Sequence, residues 1–295
     1  MKFRTLVIAP LVLAAGCAQH ATKPAPTPQA EPTAAAAVAP NDNLNATLWT
    51  QRSLEHDLVY REVYALAGRQ VAAALKQPDW DALPKSERKT RAAGLPPAVI
   101  VDVDETVLDN SPYQARLVRD GKEYDEFTWD AWCREKAARA TPGALDFAHI
   151  AAAQGVTVFY LTNRAQHLND VTLENLKKVG FPVPDDETVF LGLGLVVPGC
   201  EASGSDKSCR RELIGRTHRV LALVGDQLGD FIDVDNNTPA GREQAAAPYA
   251  GWFGERWFML PNPTYGSWDS AVLGNERGAP PDTKRRLRRE ALRYE

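Results

Sequence analysis

The stretch that decides the fold is Ala98-Val99-Ile100-Val101-Asp102-Val103-Asp104-Glu105-Thr106. Its apolar start is rich in β-branched residues and suits a strand buried on both faces. The strand reads as Ala98–Val103 and runs directly into carboxylates. Two Asp two positions apart reach one crevice once the strand breaks into a loop. A carboxylate there can attack phosphorus while a divalent cation neutralises the phosphate, and a second can move protons.

Outward from this strand, further apolar runs lie at Val156–Leu161, Thr188–Leu191, Val220–Val224 and Trp257–Leu260. Helical spacing marks Leu44–Lys76, Gly143–Ala153, Asn169–Val179 and Lys207–Thr217. Asp79–Arg91 reads as loop plus a short helix. The alternation predicts an α/β fold with a mostly parallel sheet and helices on both faces. Such sheets place their sites beyond the carboxyl ends of the strands. Val107–Pro142 is too long for a plain connection and reads as a small helical cap over the site. With 295 residues, 44% hydrophobic and 24% charged, the chain is not wholly disordered. A net charge of −4 gives no general reason to expect a nucleic-acid polymer as partner.

Each strand end carries polar residues. Asp102 suits a nucleophile and metal ligand, and Asp104 a general acid and base. Thr162-Asn163 can hold phosphate oxygens. Lys207 can offset charge on nucleophile and phosphate, with Lys177 and Lys178 as rivals. Arg210 and Arg211 read as supporting or surface residues. After the fourth strand, Gly225 lets the backbone turn close to the site, Asp226 can coordinate a hard cation, and Asp230 can support it.

The order of paired Asp, Thr, Lys and paired Asp resembles the haloacid dehalogenase (HAD) superfamily and its four-Asp acid phosphatases. Bacterial class C acid phosphatases and 5′-nucleotidases of the "lipoprotein e" type are most similar. The resemblance rests on Asp102–Ser111, Phe159–Arg164, Gly225–Phe231 and Met259–Trp268. It implies a HAD-like Rossmannoid domain over 43–295, with the cap at about 107–142. It also implies a Mg²⁺-dependent phosphomonoesterase that forms an aspartyl-phosphate on Asp102. Asp104 would then be acid/base, its backbone carbonyl on the metal. Thr162 and Lys207 would hold phosphate, Asp226 would bind the metal and Asp230 would support the metal site. Small phosphomonoesters, nucleoside 5′-monophosphates included, would be substrates, with Tyr113, Tyr265 or Trp268 stacking on the base. Phosphotransfer to alcohols and a non-catalytic surface-binding lipoprotein are the alternatives.

The N-terminus has its own character. Lys2 and Arg4 precede an apolar run too short to span a membrane, as in a secretory signal. Leu13-Ala14-Ala15-Gly16-Cys17 resembles a bacterial lipobox, so 1–16 reads as signal peptide and Cys17 as the lipidated residue. Residues 17–42, rich in Pro and Ala, read as a spacer. The expected location is exported and lipid-anchored, at a Gram-negative outer membrane. Cys200 and Cys209 are placed to pair, other pairings stay open, and Cys133 reads as a buried thiol. Lys284–Arg293 reads as an exposed basic helix with Leu287 and Leu292 packed. There is no G-x-S-x-G, H-E-x-x-H, G-x-x-x-x-G-K-[ST] or C-x-x-C pattern, and the five His residues are scattered without ligand spacing.

Overall fold

The structure, a computed structural model, describes residues 41–198, 204–276 and 278–295. The signal and lipidation readings for 1–16 and Cys17, and the spacer as far as residue 40, lie outside the described residues. Seven strands form among the described residues: β1 Pro97–Val101, β2 Leu108–Asp109, β3 Arg139–Ala140, β4 Thr157–Ala165, β5 Phe190–Leu193, β6 Arg219–Gly225 and β7 Trp257–Met259. Five of them make one parallel sheet in the order β5-β4-β1-β6-β7. The two most apolar runs take its middle: every residue of β6, and Ala98 through Val101 of β1, are buried. From β1 the chain moves outward through β4 and β5, then returns to β6 and β7 on the other side. The reversal opens a crevice beyond the ends of β1 and β6, where Asp102 and Asp226 lie. By the right-hand rule for parallel crossovers, this order puts the helices after β1 and β4 on one face and those after β5 and β6 on the other.

The long N-terminal helical pattern is two helices, α1 Leu44–Arg52 and α2 Leu54–Ala74. Ser53 is extended between them, and its hydroxyl accepts from the His56 N–H, capping α2. Such a cap stabilises by about 1 kcal/mol. Helix α2 packs on β6 and β7. It presents Tyr60 and Tyr64, whose hydroxyls donate to the Glu105 and Thr106 carbonyls at 2.6 and 2.7 Å. Two buried tyrosines thus fasten the loop that follows β1.

The expected short helix within Asp79–Arg91 is absent; the segment is turn and loop. Side chains order it instead. The Trp80 indole N–H donates to Leu221 O at 2.9 Å, and Arg88 grips Asp81 at 2.6 and 2.7 Å. Local pairing of this kind competes with helix and needs no apolar periodicity.

Between β1 and β4 stand β2, α3 Ser111–Asp120, α4 Glu126–Glu135 and β3, followed by α5 Ala144–Ala153. Strands β2 and β3 pair antiparallel and close the helical insertion at its base. Tyr113 is a correction to expectation. It is 2% exposed, its hydroxyl lies 3.1 Å from Thr128 Oγ1, and Trp129 and Tyr124 cover its ring edge-on. It is core to the cap and leaves no face for a base.

The remaining helices include α6 Asn169–Val179, α7 Ser208–Thr217, α8 Pro239–Ala246, α9 Ser267–Val272 and α10 Pro281–Glu290. Basic helix α10 has no buried residue, though half of it is only partly exposed, and most of its cations are paired. Lys284 meets Glu123, Arg285 meets Asp42, and Arg288 meets Asp269, at 2.7 to 2.9 Å. Leu292 is exposed rather than packed, because the helix ends before it. Cys133 is a buried free thiol, whereas Cys209 is disulfide-bonded. Cys200 lies outside the described residues. Among the described residues, no helix is long and apolar enough to cross a membrane.

Candidate active site

Three carboxylates meet at the crevice. Asp102, Asp226 and Asp230 are buried, and one oxygen of each lies within 4.8 Å of the others. Asp102 sits one residue past β1, its N–H donating to Val224 O of β6 at 3.0 Å. Asp226 follows β6 directly. Asp230 ends a single 3₁₀ turn, where its Oδ2 accepts from the Gln227 N–H at 2.8 Å.

Lys207 reaches this group from the start of α7. Its ammonium donates to Asp102 Oδ1, to Asp230 Oδ1 at 2.8 Å, and to Leu161 O at 2.8 Å. Lys177 and Lys178 instead bond to Glu187 and to Lys136 O from α6. That settles which Lys the fold brings to the carboxylates. Among the described residues, the donors to Asp226 are neutral: Thr106 Oγ1 at 3.4 Å, Gln227 Nε2 at 2.7 Å and Asn262 Nδ2 at 2.8 Å. One ammonium therefore faces three carboxylates, leaving a buried excess of negative charge. Hard oxygen donors with uncompensated charge fit a divalent cation of the Mg²⁺ type.

The electrostatics follow from this crowding. Burial pushes the Asp102 carboxyl up to about 7, with Lys207 opposing and Asp230 and Asp104 adding to the rise. Burial, then Asp230 and Asp102, hold Asp226 well above its ordinary value. Burial works against the Lys207 ammonium, but Asp102 and Asp230 outweigh it and raise its pKa.

Asp104 stands beside this group and faces another partner. Arg164 forks onto its Oδ1 from Nε and Nη2 at 2.9 and 2.7 Å. Thr162 Oγ1 lies 3.4 Å from Asp104 Oδ2. Asn163 is exposed, and its Oδ1 accepts from Arg210 at 2.6 Å. Arginine only donates, so the Asn163 amide turns its NH₂ away from Arg210. Arg210 and Arg211 are both buried, not surface residues.

Tyr265 donates its hydroxyl to Glu105 Oε2. Trp268 is partly exposed and, with Trp49, Pro261, Asn262 and Pro263, lines an open groove of about 420 Å³. Asn262 joins that groove to Asp226.

Several residues here carry no role in the sequence reading. Thr106 bonds both Asp102, at 3.1 Å, and Asp226. Its signal was the fifth position of the D-x-D-x-T pattern itself. Glu105 takes φ +55° and is buried; burial and Asp104 raise its pKa. Arg164 directly follows Thr162-Asn163, yet an Arg past a strand usually reads as solvated. Gln227 adjoins Asp226 and Asn262 follows β7; both lie in the segments that carry the resemblance, but the approach of Asn262 to Asp226 depends on the chain's return after β7.

The crevice, its carboxylates and the inserted cap define a HAD-type hydrolase fold. The chain belongs to the HAD superfamily, subfamily IIIB (acid phosphatase), whose family model matches residues 18–268. In structure it is similar to the class C acid phosphatase from Bacillus anthracis, with 32% sequence identity and a TM-score of 0.73. That match covers 86% of this chain and 97% of the other. The same enzyme with tungstate bound matches at 31% identity, also with a TM-score of 0.73. In sequence, acid phosphatase 1 of Solanum lycopersicum is 28% identical over 166 residues, and a stem 31 kDa glycoprotein of Glycine max 27% over 166. The matches cover 56% of this chain and 57% and 58% of those relatives' lengths.

Proposed function

We propose that this protein is a Mg²⁺-dependent acid phosphatase acting on small phosphomonoesters through an aspartyl-phosphate. The observation that carries the reading is one buried group of Asp102, Asp226, Asp230 and Lys207, drawn from separate strand ends. Asp102, Asp226 and the Asp104 carbonyl would hold a Mg²⁺, with Asp230 in support, and it would neutralise charge on the phosphoryl group. The Asp102 carboxylate attacks phosphorus, forming an O–P bond as the ester P–O bond breaks. Asp104 gives its proton to the leaving alkoxide. It then takes a proton from the water that cleaves the acyl phosphate, releasing inorganic phosphate and restoring Asp102. Thr162 and the free NH₂ of Asn163 hold phosphoryl oxygens, and Lys207 balances charge on the nucleophile.

Asp102→Asn should abolish Mg²⁺-dependent phosphate release. Release that survives this substitution refutes the mechanism. Acceptor alcohols added to the assay would divert phosphate into new esters if phosphotransfer competes with hydrolysis. One relative at 25% identity is named vegetative storage protein 1, of Arabidopsis thaliana. Retention of Asp102 here favours chemistry over storage.

Nucleoside 5′-monophosphates belong among the substrates. The apolar groove at Trp268 beside Asn262, and the ring of Tyr265, support stacking of a base. Hydrolysis of a panel of phosphomonoesters, with Trp268→Ala raising KM for nucleotides only, tests this. The lipobox-like Leu13–Cys17 supports export and lipid anchoring, with the outer membrane as destination. Metabolic labelling with a fatty acid, lost in Cys17→Ser, tests it.

A further inference from the structure

We propose that Arg164 is a positioning residue that locks Asp104 so that only its Oδ2 handles the proton. The proposal rests on the general-acid reading of Asp104 given above. Asp104 Oδ1 accepts three bonds: Arg164 Nε at 2.9 Å, Arg164 Nη2 at 2.7 Å and Asn110 Nδ2 at 2.8 Å. Among the described residues, Oδ2 has only the long contact to Thr162 Oγ1 at 3.4 Å. An oxygen that already accepts three N–H bonds has no lone pair left for a proton. The proton is thereby confined to Oδ2, beside the Thr162 hydroxyl that holds phosphate.

The lock is itself braced. The Arg164 side chain is 1% exposed, lies 5.2 Å from the centre of the Trp129 ring, and donates to Thr172 Oγ1 at 3.2 Å. Asn110 Oδ1 accepts from Trp132 Nε1 at 2.8 Å and from Arg164 Nη2 at 3.2 Å. Both of those groups only donate, so the Asn110 amide must turn its NH₂ toward Asp104. Asn110, Trp129 and Trp132 all belong to the inserted cap. The cap therefore does more than cover the crevice: it fixes the orientation of the acid.

The test separates geometry from general damage through the leaving group. An alkyl phosphate needs a proton on its departing oxygen; p-nitrophenyl phosphate releases a stable anion without one. In Arg164→Met, kcat/KM for an alkyl phosphate should fall by about 10²- to 10⁴-fold, the usual worth of general acid catalysis. For p-nitrophenyl phosphate the fall should stay below about tenfold, because that step does not draw on the acid. Arg164→Lys keeps the charge but not the fork. It folds without leaving a neutral side chain beside Asp104, and the ratio of the two substrates should still shift at least about tenfold. Equal losses on both substrates in Arg164→Met, or a wild-type ratio in Arg164→Lys, overturn the proposal. Asp104→Asn is the separate control. If it shows no leaving-group dependence, the general-acid reading fails; if it does while Arg164→Lys does not, only the lock fails.

Discussion

Glu87→Gln should destabilise the protein strongly although Glu87 lies outside the reacting group. Arg211 is fully buried, and Glu87 is its bidentate partner at 2.8 and 2.5 Å. The same guanidinium donates to Gly229 O and Asp230 O at 3.1 Å each. Removing the Glu87 charge leaves a buried cation short of its main partner, which typically costs 3–5 kcal/mol. Asp233, at 3.5 Å and partly exposed, retains some compensation and places the loss near the lower end, about 3 kcal/mol. For a domain of this size that corresponds to a Tm lower by roughly 6–12 °C. Differential scanning calorimetry of the metal-free protein measures it directly. Glu87→Met with Arg211→Met should recover part of the loss, since an apolar pair carries no desolvation cost. A Tm shift below about 2 °C in Glu87→Gln would show instead that Asp233 replaces Glu87 at little cost.

Two further outcomes follow from the carboxylates. The folded pKa of Asp102, about 7, stands above its unfolded value, so the folded state binds the proton more tightly. The metal-free protein should lose stability as pH rises from about 4 through about 7, and added Mg²⁺ should raise Tm more at pH 7.5 than at pH 5. Thermal shifts in EDTA and in Mg²⁺ across that window check the sign; a larger Mg²⁺ effect at pH 5 contradicts it. Gly225→Ala should cut activity far more than it lowers Tm. A Cβ there would collide with the Asp230 carboxyl group, so the carboxylate must swing away from Lys207. Full activity in that variant would show that Asp230 is dispensable.

The sheet was legible because its strands are short, apolar and bounded by polar turns. Asp102, Asp226 and Asp230 were legible because the strand ends announce them. Lys207 was harder to read: the segment around it looks like an ordinary solvated helix start, and only the path of the chain between β5 and β6 brings it to Asp102. The break at Ser53 was hidden because the apolar spacing continues across it, while the break depends on one hydroxyl capping its own backbone. Tyr113 was misread because an aromatic just past a motif has no sequence mark to separate core from platform. The Arg164 lock was invisible for a different reason. It is assembled from a strand end and from the cap, and no single segment holds both halves.

The reacting group depends on closure of the whole chain. Lys207 stands 105 positions from Asp102, and Asn262 stands 36 from Asp226. No fragment short of the finished sheet brings Lys207 to Asp102 or Asn262 to Asp226. An unfolded copy carries the same side chains without their grouping. Folding is therefore the step that assembles the site, and the buried charge it concentrates does not exist in the open chain.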